Sequence, residues 1–175
     1  MQYELTTPCT AADLAPLKAG DTVLLSGVVY TARDQAHKRM LEALDKGEKL
    51  PFDLEGSAIY YVGPTPERPG EVIGSAGPTT SGRMDAMSPR LLDLGNKIMI
   101  GKGKRDAAVK EAVVRNGAVY LAALGGAGAL MAQSVKTLEV IAWPDLGCEA
   151  VRRLTVEKLP LTVILAAHGG DIYTS

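Results

Sequence analysis

Three segments carry residue types able to hold a small anion. The first is Gly77-Pro78-Thr79-Thr80-Ser81-Gly82-Arg83-Met84-Asp85. Its small residues let a backbone approach a ligand closely, and its adjacent hydroxyls both donate and accept. Arg83 adds a planar fork matched to a carboxylate. A helix starting near Ser81 would add free N–H groups, a further anion site. The plainer reading is a turn capped by Thr80 or Ser81, with Arg83 in solvent. The second segment is Thr31-Ala32-Arg33-Asp34-Gln35-Ala36-His37-Lys38-Arg39. Arg33 is suited to clamp an anion, with Asp34 as cap or orienter. His37 follows one helical turn later, so both side chains are able to face one cleft. Its plainer reading is a capped amphipathic helix with a solvated basic face. The third segment is Gly101-Lys102-Gly103-Lys104-Arg105. It fails the spacing of a Walker phosphate loop, but Lys102 on a glycine-flanked turn still offers a point charge. A surface turn is the alternative.

The elements that must position these segments alternate between strand and helix. Residues 22–30 are β-branched and apolar and predict a buried strand, and the pattern turns helical from Asp34 to about Leu44. Ser57 to Val62 predicts a strand, residues 65–70 a loop, and Val72-Ile73 the start of a short strand. A helix from Met84 to Leu94 is expected to end at Gly95, although Pro89 sits badly inside it. Lys97 to Ile100 reads as a strand, 105–116 as a helix capped by Gly117, and Gly117 to Ala123 as a strand. The Gly125-Gly126-Ala127-Gly128 run opens a short helix to about Gln133 and does not complete a dinucleotide fingerprint. Val135 to Trp143, Val151 to Val156 and Leu161 to Ala167 read as strands, with one helical turn near Cys148. The expectation is an α/β layered domain covering residues 1–175, a mixed sheet with flanking helices. Arg33, Arg83 and Lys102 then stand at three strand-to-loop ends, where ligands of α/β sheets collect. If those ends converge, the pocket is cationic, ringed by hydroxyls and suited to a small dicarboxylate.

Composition narrows the function further. The chain has 175 residues, with 19 Lys+Arg against 20 Asp+Glu and a formal net charge of −1. With a pI near 6.1, a broad basic nucleic-acid face is excluded. Two cysteines, Cys9 and Cys148, are too few for an iron–sulfur site within this chain, and two histidines with no paired ligand do not make a zinc site. The first residues do not read as a signal peptide, and the apolar runs are too short to span a bilayer. A cytoplasmic protein without membrane contact is expected.

The first segment resembles the signature of class I (iron–sulfur) fumarate hydratases, in their β subunit or C-terminal domain. The Arg33-Asp34-Gln35-Ala36-His37 run is similar to that family's Arg-Asp-x-Ala-His segment. Ile100-Gly101-Lys102-Gly103 resembles its Lys-Gly turn, and Leu124-Gly125-Gly126 its Gly-Gly. L-tartrate dehydratase β subunits share the Gly-Pro-Thr-Thr-Ser core. The resemblance implies a swivelling β/β/α domain and reversible hydration of fumarate to (S)-malate, a tricarboxylic acid cycle step. It implies a [4Fe–4S] cluster held by a partner α subunit, in an αβ or α2β2 assembly. It also implies Thr79 as the general base at substrate C3. Arg33, Arg83 and Lys102 would hold the substrate carboxylates, with His37, Thr80 and Gly77 lining the site. Asp34, Asp85 and Ser81 would orient or cap, and a partner-chain carboxylate, Asp85 or Asp34 would accept the Thr79 proton. A tartrate dehydratase subunit and a non-catalytic anion-binding assembly module are the alternatives.

Overall fold

Among the described residues, seven strands and five helices are arranged so that one strand layer faces two cores. The computed structural model describes residues 1–64, 69–74, 80–122 and 128–173, with backbone alone for 128–130. In chain order the elements are β1 (Gln2–Thr6), α1 (Ala11–Leu14), β2 (Thr22–Thr31), α2 (Asp34–Asp45), β3 (Ala58–Tyr60), α3 (Ser88–Asp93), β4 (Ile98–Gly101), α4 (Ala107–Asn116), β5 (Val119–Ala122), α5 (Gly128–Gln133), β6 (Val135–Ala142) and β7 (Val151–Leu165). Two 3-10 turns, Ser81–Met84 and Pro144–Glu149, stand between them.

The sheet is mixed, with order β1-β2-β3-β4-β5-β7-β6. β1 through β5 pair in parallel, while β7 runs antiparallel to β2, β5 and β6. The pairing of β7 with both β2 and β5 closes a ring, β2-β3-β4-β5-β7. Closure leaves those strands without a free edge along the paired stretch.

The two-residue period of β3, β4 and β5 separates the cores. Ala58, Tyr60, Ile98, Ile100, Val119 and Leu121 point into the ring, against Val23, Leu25 and Val29 of β2 and Leu154, Val156 and Val163 of β7. The intervening Ile59, Tyr61, Met99, Tyr120 and Ala122 meet Ala36 and Met40 of α2, Leu91 and Leu92 of α3, and Val109, Ala112 and Val113 of α4. Strands buried on both faces read as unbroken apolar runs, which is why the alternation was invisible in the sequence. Each fully buried aliphatic side chain contributes about 1.5–3 kcal/mol.

Several expectations are adjusted. The helix expected at Met84–Leu94 is a 3-10 turn followed by α3, and Pro89 falls in its first turn, where a missing N–H costs nothing. Val72-Ile73 forms no strand. The strands expected at 151–156 and 161–167 are one strand, β7, which continues through Pro160. On one edge β7 pairs with β6 through Val156 and with β5 from Thr162, so Pro160 sits where that edge has no ladder to break. β1 and α1 went unread in the sequence because both are short and half exposed.

Candidate functional site

The carboxyl ends of β2, β3 and β4 meet on one side of the molecule, and the described parts of the three segments singled out in the sequence meet there too. β2 ends at Thr31, and α2 follows after Ala32 and Arg33. Arg33 is the N-cap of α2 but provides no side-chain cap. Instead the Gln35 N–H donates to Glu149 Oε1 (3.1 Å), so a carboxylate from the turn before β7 takes that role. The Arg33 side chain is free to extend past Gly63. A Cβ on Gly63 would stand 2.8 Å from Arg33 Nη1, so glycine there leaves room for the guanidinium.

The two arginines flank one carboxylate. Arg33 Nε lies 4.0 Å from Asp34 Oδ1, and Arg83 Nη1 lies 3.7 Å from Asp34 Oδ2. The Arg83 side chain is 58% exposed and the Arg33 side chain 21%. The Arg83–Asp34 pair, open on the Arg83 side, contributes about 0–1 kcal/mol to stability. Folding therefore gives little reason to gather these charges. Arg33 Nε and Asp34 Oδ1 are themselves shielded from solvent and lack hydrogen-bond partners among the described residues.

Lys102 joins the same rim from β4. Thr80 and Lys102 form an isolated parallel bridge. The Ser81 N–H donates to Lys102 O and the Lys102 N–H donates to Ser81 Oγ, both at 2.9 Å. Thr80 and Lys102 are exposed, whereas Ser81 is buried. Among the described residues Lys102 makes no ion pair. Its charge is available to a ligand.

Other expected site residues are placed differently. His37 does lie one turn from Arg33, but it is buried, with Nδ1 2.9 Å from Arg33 O and its ring edge-on to Tyr61. A carbonyl only accepts, so Nδ1 carries the proton and Nε2 is the bare acceptor. Nε2 has no hydrogen-bond partner among the described residues. Burial, assisted by the Arg105 charge, lowers the His37 pKa to about 4 against the opposing Arg33 carbonyl contact. His37 is therefore neutral near pH 7 and does not add to the cationic rim. Thr80 precedes a 3-10 turn of only four residues and makes no side-chain cap bond. That turn provides neither the expected cap nor a helix terminus for an anion. Asp85 is committed to the scaffold: Oδ1 accepts from Arg105 Nε at 2.6 Å and Oδ2 from the Asp106 N–H at 2.9 Å. Gly77, Thr79 and Gly125-Gly126 lie outside the described residues.

Beneath the rim is a group that the sequence reading passed over. Arg105 is 5% exposed, with its guanidinium 5.2 Å from the Tyr61 ring centre and 4.8 Å from that of Tyr120. In a run of lysines and glycines it reads as one more surface cation. No local signal marks it as buried. Among the described residues no cluster of three His, Cys, Asp or Glu side chains is placed to hold a metal ion. Cys9 is buried and Cys148 exposed. No described helix is long and apolar enough to cross a membrane.

The whole of residues 1–175 matches the Fumarase C-terminus family. The chain belongs to that family. It is 37% identical over 164 residues to the aerobic class I fumarate hydratase of Escherichia coli K12, covering 93% of this chain and 30% of that protein. It is 43% identical over 170 residues to a Methanocaldococcus jannaschii protein provisionally named L(+)-tartrate dehydratase subunit beta, covering 94% of this chain and 87% of that one. The L(+)-tartrate dehydratase subunit beta of E. coli K12 is 32% identical over 177 residues, with 98% and 87% covered. This fumarase C-terminus chain thus spans about a third of the fumarate hydratase it matches and most of each tartrate dehydratase β subunit.

Proposed function

We propose that this chain is the β subunit of a two-subunit hydro-lyase that interconverts fumarate and (S)-malate, with a swivelling β/β/α domain and a site completed by an α subunit. The observation that carries the reading is the placement of Arg33 and Arg83 on either side of Asp34, with the Lys102 turn bridged to Thr80, three residues before Arg83. Two arginines sharing one carboxylate, with a lysine turn joined to the Arg83 segment, leave a surplus of positive charge suited to a substrate with two carboxylates. The guanidinium forks match carboxylates in plane, and Lys102 adds a point charge.

The residues described here do not fit an iron–sulfur cluster, since one of the two cysteines is buried and the other stands alone on the surface. The [4Fe–4S] cluster of this reading belongs to the partner. This chain's part is to hold the dicarboxylate and move a proton. Removing the C3 proton of malate places charge on the adjacent carboxylate, and fixed cations stabilise that charge as it forms. Thr79 is the residue assigned to take the proton. Its hydroxyl barely ionises near neutrality, so neighbouring cations must favour the alkoxide. Asp85 is engaged by Arg105, which leaves Asp34 or a partner carboxylate as the acceptor for the Thr79 proton.

A second reading is supported by chain length: the match covers 87% of the L(+)-tartrate dehydratase β subunits. Reconstitution with an α subunit, assayed on fumarate, malate and L-tartrate, separates the two. Fumarate hydration by the complex alone, absent from either chain, supports the first reading. Preference for tartrate replaces it with the second. Malate binding by this chain in calorimetry, with no turnover on any substrate after assembly, leaves a non-catalytic anion-binding module.

A further inference from the structure

Arg105 and Tyr120 have no part in the chemistry described above, yet they tie together the two segments that bear Arg83 and Lys102. We propose that they are positioning residues: from below, they set the distance between the Thr80–Arg83 segment and the Lys102 turn. The inference rests on the reading of this rim as the dicarboxylate site.

Two connected sets of bonds make the tie. In the first, Arg105 Nε donates to Asp85 Oδ1 at 2.6 Å, and Nη2 donates to Ser88 Oγ at 2.9 Å and to Tyr61 Oη at 3.3 Å. Ser88 Oγ in turn donates to Met84 O at 3.0 Å. The guanidinium therefore grips both ends of the stretch from Met84 to Ser88. Asp85 Oδ2 also accepts from Asp106 N, so this carboxylate holds the segment after Arg83 to the segment after Lys102. In the second set, Tyr120 Oη lies 2.8 Å from both Ser81 Oγ and Gly103 O. A carbonyl only accepts, so the phenol proton goes to Gly103 O, and Ser81 Oγ donates to the phenol oxygen. Ser81 Oγ then accepts from the Lys102 N–H. The chain of donors runs in one direction: Lys102 N–H to Ser81, Ser81 to Tyr120, Tyr120 to Gly103 O. It closes on the same turn where it began, and so fixes the backbone on both sides of Lys102. The Arg105 guanidinium packs over the Tyr120 ring, joining the two sets.

A buried ion pair is a poor means of stabilising a fold, because desolvation offsets most of the attraction. It is a good means of specifying one arrangement, since a fork must meet its acceptors in register. Arg83 and Lys102 are exposed, and the one recorded side-chain partner of the two is Asp34, an open ion pair with Arg83 at 3.7 Å, among the described residues. Their position is inherited from Ser81, Asp85 and Gly103.

The test uses Tyr120→Phe, which keeps ring and volume, and Arg105→Lys, which keeps charge. In the assembled complex both variants should lose at least tenfold in kcat/KM for the dicarboxylate, measured per folded molecule. A merely structural role would lower Tm and leave kcat and KM unchanged. Amide hydrogen exchange on the full chain gives a readout independent of activity. In Tyr120→Phe the Lys102 amide should exchange at least tenfold faster, with the amides of α4 unaltered. Unchanged exchange at Lys102 overturns the proposal even if activity falls. An inactive wild-type complex refutes the functional reading, and exchange at Lys102 still decides the positioning role. If Arg105→Lys does not fold, Tyr120→Phe decides it.

Discussion

Substituting Gly101 with alanine gives a direct measure of how tightly the rim is held. Gly101 is the last residue of β4, and its φ is not among the positive ones, so alanine carries no backbone strain there. The obstacle is Ser81. A Cβ on Gly101 would overlap Ser81 Oγ and stand 2.8 Å from Tyr61 Cδ2 and 3.2 Å from Ser81 Cβ. Ser81 must leave its position, which breaks its bonds with Lys102 N–H and Tyr120 Oη. Overpacking costs about 1–3 kcal/mol, and each lost hydrogen bond about 1 kcal/mol. The single substitution should therefore destabilise by about 3–5 kcal/mol, or lower Tm by about 10 °C for a chain of this length. The sharper expectation concerns the background. In Ser81→Ala the obstructing oxygen and its bonds are already gone, leaving the Tyr61 contact and the 3.2 Å contact with the Cβ of residue 81. There Gly101→Ala should cost about 1 kcal/mol. The coupling energy in a double-mutant cycle, read by urea denaturation, is then about 2–4 kcal/mol in favour of the double variant. Equal costs in the two backgrounds would refute the claim that Gly101 is small in order to admit Ser81.

Three further outcomes follow from the same geometry. Thr79→Ala in the assembled complex should lower kcat by about 10²–10⁴-fold, the usual range for a lost general base, with malate binding by calorimetry unchanged; a parallel loss of affinity would make Thr79 a binding group. Arg83→Lys should raise KM despite equal charge, because an ammonium lacks the planar fork; an unaltered KM would remove Arg83 from the carboxylate contacts. His37 is held neutral, with a folded pKa of about 4 against about 6.5 unfolded. Its folded pKa is the lower one, so the unfolded state takes up the proton first. It contributes nothing above pH 6.5, and stability is lost as pH falls from about 6.5 to about 4. The loss reaches about 3 kcal/mol. Wild type and His37→Gln compared by urea midpoint at pH 7 and pH 4.5 check this, with the wild type showing the larger fall. Carboxylates with lowered pKa, such as Asp93 beside Asn116 and Arg115, are common to both proteins and cancel in the comparison.

The sequence determined by itself those features that depend on neighbours along the chain. The apolar runs and glycine stops located β2, α2, α4 and β5 to within a few residues, because strand and helix periods are local. Asp106 and Gly117 bracket α4 with a side-chain N-cap and a left-handed C-cap, both chosen by residue type. The motif residues Arg33, Arg83 and Lys102 stood out because their types are suited to carboxylates, whatever surrounds them. The tertiary structure decided everything that depends on distance through space. Burial turned His37 from a candidate cation into a neutral group. It also made Arg105, one of several basic residues in its run, the buried centre of the support beneath the rim. Asp85 became a tie between two segments because Arg105 and Asp106 arrive from twenty residues further along. Closure of the ring by β7 left no mark on the sequence beyond a proline at an unpaired edge. The physical reason is common to all of these: periodicity and capping act over one or two turns, whereas desolvation and charge pairing act between segments that only folding brings together.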